Sequence, residues 1–225
     1  MHEGFLHKYF LNNGGLRLHK WAHYFDIYEM HFQRFVGKSP VMLKIGVSGG
    51  GSLWMWKEYF GEGAQIIGLD IKPECMRYAG EGVDVIIGSQ SDEKVLSEIV
   101  EKYPRIDIVL DDGSHRNADI RASFDFLYDK IHPNGVYFIE DLHACYWKKF
   151  GGGVGQDGSF MEFVKDRLDD LNAVHTDGEL PISDFTAATR SICVYDSVVV
   201  FEKKPQGLRF HRRTMAMPRE PKSPD

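Results

Sequence analysis

Cysteine is scarce in this chain: three among 225 residues, Cys75, Cys145 and Cys193. Their odd number and wide spacing exclude a disulfide framework and a zinc-binding cysteine pattern, and they point to reduced thiols in a cytoplasmic protein. Long apolar runs are missing. None approaches the roughly 20 residues of a membrane span, and the opening MHEGFLHKYF has no apolar core of a secretory signal, so no membrane partner is expected. Clustered positive charge is missing as well. Lys and Arg number 27 against 33 Asp and Glu, a net charge of −6. The single basic cluster, Arg209, Arg212 and Arg213, falls in the Pro- and Arg-rich stretch after Lys204. A nucleic-acid partner, whose phosphates demand grouped Lys and Arg, is therefore not expected. No internal repeat is found. A hydrophobic content of 43% suits one folded domain with a substantial core.

What is present is a rhythm of short apolar runs. Val41–Val47, Ala64–Ile71, Val83–Ser89, Ile106–Asp112 and Gly135–Asp141 read as strands, with Ser197–Lys203 as a late one. Helix-compatible segments lie between them, at Asp92–Tyr103, Ala118–Ile131 and Phe160–Asn172. Near-continuous β-branched strands alternating with helices imply an α/β fold with a doubly wound, mostly parallel sheet covered on both faces. Ahead of it, Trp21, Phe25, Tyr28, Phe32 and Phe35 recur at spacings of three and four. They predict an amphipathic helix over His19–Val36, ended by Ser39-Pro40. The expected division is an N-terminal helical segment over 1–40, the α/β domain over 41–204 and an extended or disordered tail over 205–225. The glycine-rich Lys148–Ser159 reads as a flexible loop, a candidate lid.

KIGVSGGGSLWMW follows the first strand and opens a helix. Its glycines, at 46, 49, 50 and 51, allow backbone to approach a ligand, and a helix N-terminus offers free N–H groups. Asp70 ends the second strand about twenty residues on, where a carboxylate accepts ribose hydroxyls. The G-x-G-x-x-G spacing of dinucleotide sites is not met, which disfavours a nicotinamide oxidoreductase. The loop looks more like the first motif of class I S-adenosylmethionine (AdoMet) methyltransferases, although Lys44 stands where that motif usually carries a carboxylate. Gly46, Ser48, Gly50, Ser52 and Asp70 are the expected cofactor contacts. Ser89 and Gln90, closing the third strand, are expected beside the adenine; an ordinary strand-to-helix turn capped by Ser91 or Asp92 is the competing reading.

IVLDDGSH and FIEDLH end the fourth and fifth strands with paired carboxylates. Adjacent strands of such a sheet bring Asp111, Asp112, Glu140 and Asp141 to one crevice. Carboxylates that close repel, so protons or a cation must relieve them. An oxygen donor set selects Mg²⁺ first, with Mn²⁺ or Ca²⁺ as substitutes. Neighbouring strand residues point to opposite sides, so Asp112 is the expected ligand and Asp111 a supporting group. His115, three residues past Asp112, reaches the same crevice. An imidazole, with an unperturbed pKa of about 6.5, can take a proton from a hydroxyl that a metal has made more acidic. His143 is a weaker candidate, and His19, His23 and His31 read as surface or packing residues.

Together IVLDDGSH, GVYFIEDLH followed by YW, GVSGGGSLWMW and YFDIYEMHF resemble metal-dependent sugar O-methyltransferases of antibiotic biosynthesis, of the macrolide-sugar and rhamnosyl type. The resemblance covers roughly residues 19–204. It implies Asp112, Glu140 and Asp141 as metal ligands, His115 as general base, and Ser52 and Asp70 as AdoMet contacts. Members often carry G-D-Q where this chain has Gly88-Ser89-Gln90, so with Lys44 two usual acids are replaced. Macrolide members carry a further N-terminal domain that helps assemble a homo-oligomer and shape the acceptor site, so the resemblance leaves the acceptor open. A sugar or glycoside hydroxyl is the expected substrate. A catechol-type diol, or a non-catalytic AdoMet-binding module, is the alternative.

Overall fold

Short Val- and Ile-rich runs become the parallel strands β1 (Val41–Ile45), β2 (Gln65–Asp70), β3 (Val83–Ile87), β4 (Ile108–Asp111) and β5 (Val136–Ile139) of a computed structural model that describes residues 4–207, 209–212 and 214. A hairpin of β6 (Thr189–Tyr195) and β7 (Val198–Lys203) completes one seven-stranded sheet. Its order is β3-β2-β1-β4-β5-β7-β6, with β7 antiparallel to β5. The doubly wound, mostly parallel sheet expected from the apolar runs is what forms. Strand β6 is the addition. Only Thr189 of its seven residues is buried, so this edge strand carries no continuous apolar run.

Apolar side chains fill both faces of the sheet. One face packs α1 (Phe5–Leu11), α2 (Tyr24–Phe32) and α3 (Gly51–Phe60), with Tyr24, Tyr28, Phe32, Trp56 and Phe138 at its centre. The other packs α4 (Glu93–Lys102), α5 (Asn117–Leu127) and α6 (Phe160–Leu171) around Phe124, Leu127 and Phe201. A short α7 (Asp184–Ala188) precedes β6. Asp92 caps α4 through Lys94 N, and Ser159 caps α6 through Glu162 N.

The N-terminal helix is shorter than the aromatic spacing predicts. It runs from Tyr24 to Phe32, with a single 3₁₀ turn over Gln33–Phe35. Phe25, Tyr28, Phe32 and Phe35 are buried, but Trp21 is 54% exposed. The stretch before Tyr24 is not helical because tertiary contacts claim it: the Arg17 carbonyl accepts from Gly51 N at 3.2 Å, and Lys20 enters a cluster of carboxylates. Asn117 holds the glycine-rich loop at both ends: its Nδ2 donates to the Phe150 carbonyl at 3.0 Å, and its Oδ1 accepts from Phe160 N at 2.7 Å. The expected tail falls largely outside the described residues. No helix among the described residues is long and apolar enough to cross a membrane.

Register decides what meets at the strand ends. Ile45, Asp111 and Ile139 are paired across β1, β4 and β5. Asp112 N then donates to the Ile45 carbonyl, and Glu140 N to the Asp111 carbonyl, each at 3.0 Å. Asp112 and Glu140 therefore leave neighbouring strands at one level.

Candidate active site

A cleft of about 500 Å³ opens at this edge, lined on one side by Gly46 to Gly49, Ser52, Asp70, Ser89 and Gln90, and on the other by Asp112, His115 and Asp141. Asp70 organises the first side. Its Oδ2 accepts from Val47 N at 2.8 Å and Ser48 N at 3.0 Å, and its Oδ1 from Lys72 N at 3.0 Å. Burial opposes its charge, but three amide donors overcome that and hold the carboxyl below its usual range. The glycine turn is thus strapped to a carboxylate that stays ionised.

The glycines are explained by the chain's own packing. Gly46 has φ 87°, and a Cβ there would lie 2.0 Å from the Asp112 carbonyl oxygen. A Cβ on Gly51 would lie 2.6 Å from both the Leu16 and Arg17 carbonyl oxygens, and one on Gly49 would strike the Arg17 side chain. The Leu16–Arg17 strap thus packs against Gly49 and Gly51, and the Tyr78 ring against Gly50. Gly50 and Ser52 stand at the start of α3, Ser52 buried. Ser89 hydroxyl pairs with Ser91 hydroxyl at 2.9 Å. Gln90 is occupied inward: its Nε2 donates to both Asp111 oxygens and its Oε1 accepts from Ser114 N at 2.8 Å.

The four carboxylates separate into different roles. Asp111 is buried, accepting from Gln90, Ser123 Oγ and Gly113 N. Burial pushes its carboxyl up to about 6 against those donors. It braces the loop that carries His115. Asp112 Oδ2 accepts from Lys20 Nζ at 2.5 Å and Lys44 Nζ at 2.9 Å. Burial works against the Asp112 charge, but the two ammoniums outweigh it and depress its pKa. Glu140, almost fully buried, accepts from Lys20 Nζ and from the Tyr28 hydroxyl. Burial and the neighbouring Asp112 charge push Glu140 upward, with Lys20 pulling the other way. Asp141 Oδ1 accepts from the Tyr24 hydroxyl at 2.7 Å.

Lys20 is the functional residue that sequence reasoning missed, and Lys44 turns out to belong with it. Lys20 faces Asp112 and Glu140, Lys44 faces Asp112, and Asp141 is left to Tyr24 and His115. One ligating atom each from Asp112, His115 and Asp141 lies within 4.8 Å of the others. The two carboxylates suit a hard divalent cation, with the imidazole beside them. Glu140 stands apart from that trio because its oxygens go to Lys20 and Tyr28. His115 Nε2 is 3.7 Å from Asp141 Oδ2. His143 Nδ1 meets the Ser197 hydroxyl at 2.6 Å, and Tyr24 links Ser197 to Asp141. His31 is buried away from the cleft against Glu202, at 2.6 Å.

Backbone strain collects here. Ser48, His115 and Asp141 have φ of 52°, 57° and 58°, a left-handed conformation costly for residues other than glycine. All three line the cleft. The loops after β1, β4 and β5 hold these residues against their backbone preference, as sites that must aim particular groups do.

No protein-family model matches the chain. Among curated proteins, demethylmacrocin O-methyltransferase of Streptomyces fradiae is 37% identical over 165 residues, 68% of this chain and 41% of the relative. Mycinamicin VI 2''-O-methyltransferase of Micromonospora griseorubida is 42% identical over 133 residues, 56% of this chain and 33% of the relative. Among solved structures, MycE methyltransferase of the mycinamycin biosynthetic pathway, in complex with Mg, SAH and mycinamycin VI, superposes with a TM-score of 0.77 at 31% identity. That match covers 89% of this chain and 53% of MycE. The matched region is thus about half or less of each relative's length.

Proposed function

The chain belongs to the family of class I O-methyltransferases that holds the demethylmacrocin and mycinamicin enzymes, and from that premise we propose that it methylates a hydroxyl of a sugar or glycoside with AdoMet and Mg²⁺. AdoMet supplies a methyl group on a positively charged sulfur, and Mg²⁺ eases loss of the proton from a hydroxyl. The chain's residues do the rest. Asp70, kept ionised by its amide donors, accepts the hydroxyls of the ribose. Gly46, Ser48, Gly50 and Ser52 shape the turn around the cofactor, and Ser89 borders the adenine. Gln90 acts at one remove, holding Asp111 and Ser114.

Asp112 and Asp141 would hold the cation, while Glu140 is held by Lys20 and Tyr28. His115 takes the acceptor's proton on Nε2, and Asp141 Oδ2, 3.7 Å away, stabilises the imidazolium that results. Tyr24 keeps Asp141 in place: burial and the nearby carboxylates hold its phenol well above the usual range, so it remains a donor. The observation that carries this reading is the meeting of His115 with Asp112 and Asp141 on the same cleft as Asp70 and the glycine turn. Orientation of the hydroxyl supplies much of the acceleration.

The test is AdoMet consumption against a panel of glycosides, free sugars and catechols, with Mg²⁺ or with excess chelator. Turnover of a glycoside that stops in chelator supports the reading. Turnover of catechols alone, or unaffected by chelator, refutes it.

A further inference from the structure

We propose that the exposed aromatic rim beside Asp141 is the acceptor subsite, and that it stacks on the C–H face of a sugar ring; this rests on the O-methyltransferase reading of the same cleft. The rim is a continuous path of rings drawn from three segments of chain. Trp21 meets His143 with centroids 6.0 Å apart and planes at 82°. His143 meets Trp147 at 4.9 Å, and Trp147 meets Phe150 at 6.0 Å. Phe150 then meets His115, the proposed base, at 6.3 Å.

Trp21 and Trp147 are 54% and 45% exposed, while Trp56 is wholly buried in the core. Indoles left open to water in a group mark a binding surface. The Lys149 ammonium lies 4.9 Å from the Trp147 ring centre and 4.8 Å from that of Phe150, bracing their relative tilt.

The rim is wired to the chemistry. Lys20, which precedes Trp21, reaches Asp112 and Glu140. His143 Nδ1 bonds the Ser197 hydroxyl, and Tyr24 joins Ser197 to Asp141. The rim rings lie outside the cleft lining and meet it where Phe150 touches His115, so a molecule resting on them approaches the carboxylates from the His115 side. A pyranose matches that pairing, with an apolar C–H face for the rings and hydroxyls around its rim for Asp112 and Asp141. A catechol is apolar on both faces and best held between parallel rings. The exposed indoles are not paired that way, since successive planes along the rim are inclined by 31° to 82°.

The test is a titration of the full chain with methyl α-rhamnopyranoside, read by tryptophan fluorescence and by methyl-transfer kinetics. Trp147→Ala and Trp21→Ala are each expected to weaken glycoside binding and raise KM about tenfold. Trp147→Phe should recover most of the loss, and AdoMet affinity should not move. Unchanged KM in both alanine variants, with the wild type active, overturns the rim and leaves the methylation reading standing. Rim-dependent binding of the glycoside without methyl transfer supports the rim and sinks that reading. If the alanine variants change the protein's mass in solution and not its glycoside affinity, the rim is a contact between chains and the proposal fails.

Discussion

Replacing Lys20 with Met separates a built-in cation from a bound one. The Lys20 ammonium is 2.5 Å from Asp112 Oδ2 and also contacts Glu140, with only 3% of its side chain exposed. Breaking a buried ion pair from one side costs about 3–5 kcal/mol, because the remaining charge loses its partner. Lys44 still serves Asp112, and Tyr28 still serves Glu140, so the low end applies, roughly 3 kcal/mol. For a chain of this length each kcal/mol shifts Tm by about 2–4 °C, which gives a fall of roughly 6–12 °C. Thermal melts in excess EDTA measure it. Added Mg²⁺ should then stabilise Lys20→Met more than wild type, since the variant offers Asp112 and Glu140 with no ammonium between them. At a hundred times its Kd the cation restores about 2.7 kcal/mol. A variant melting within about 1 kcal/mol of wild type in EDTA, with no greater response to Mg²⁺, would refute Lys20 as the counter-ion of this crevice.

Other perturbations test the scaffold. Glu202 is buried, yet hydrogen bonds from His31 and Arg34 bring its pKa below the usual 4.5. Its stabilisation is therefore full above about pH 4.5 and fades as pH falls through the lowered value. Glu202→Gln should cost about 1–3 kcal/mol at pH 7 in urea unfolding, and the gap to wild type should close in acid; a gap independent of pH contradicts the assignment. Gly51→Ala drives a methyl group into the Leu16 and Arg17 carbonyls at 2.6 Å. It should cost about 1–3 kcal/mol and loosen the strap that carries Lys20, seen as faster amide exchange over residues 16–20; unchanged exchange would show that Gly51 does not seat the strap.

The parallel sheet was legible because buried strands declare themselves as runs of Val, Ile and Leu. Edge strand β6 was not, since Arg190, Ser191 and Val194 face outward or stay half exposed. The aromatic spacing from Phe25 to Phe35 located the helix correctly. Its N-terminal limit was set instead by contacts with Gly51 and Asp112, which local periodicity does not record. The carboxylate pairs after β4 and β5 were visible as charge at the ends of apolar strands, and their need for a cation followed from repulsion. The positive charge beside Asp112 and Glu140 is Lys20, a lone lysine 92 residues before Asp112, and no spacing rule connects the two. The glycine loop was legible as a tight, cleft-forming turn, but not that Leu16, Arg17 and Tyr78 of the chain itself pack against it.

Single-turnover methyl transfer by His115→Ala bears most directly on the central claim, that His115 is the base of a cleft shared by cofactor and carboxylates. Reaction with a glycoside acceptor should fall by about 10²–10⁴-fold, while AdoMet affinity, which depends on Asp70 and the glycine turn, stays at the wild-type value. Transfer at the wild-type rate, or loss of AdoMet binding along with turnover, would contradict it.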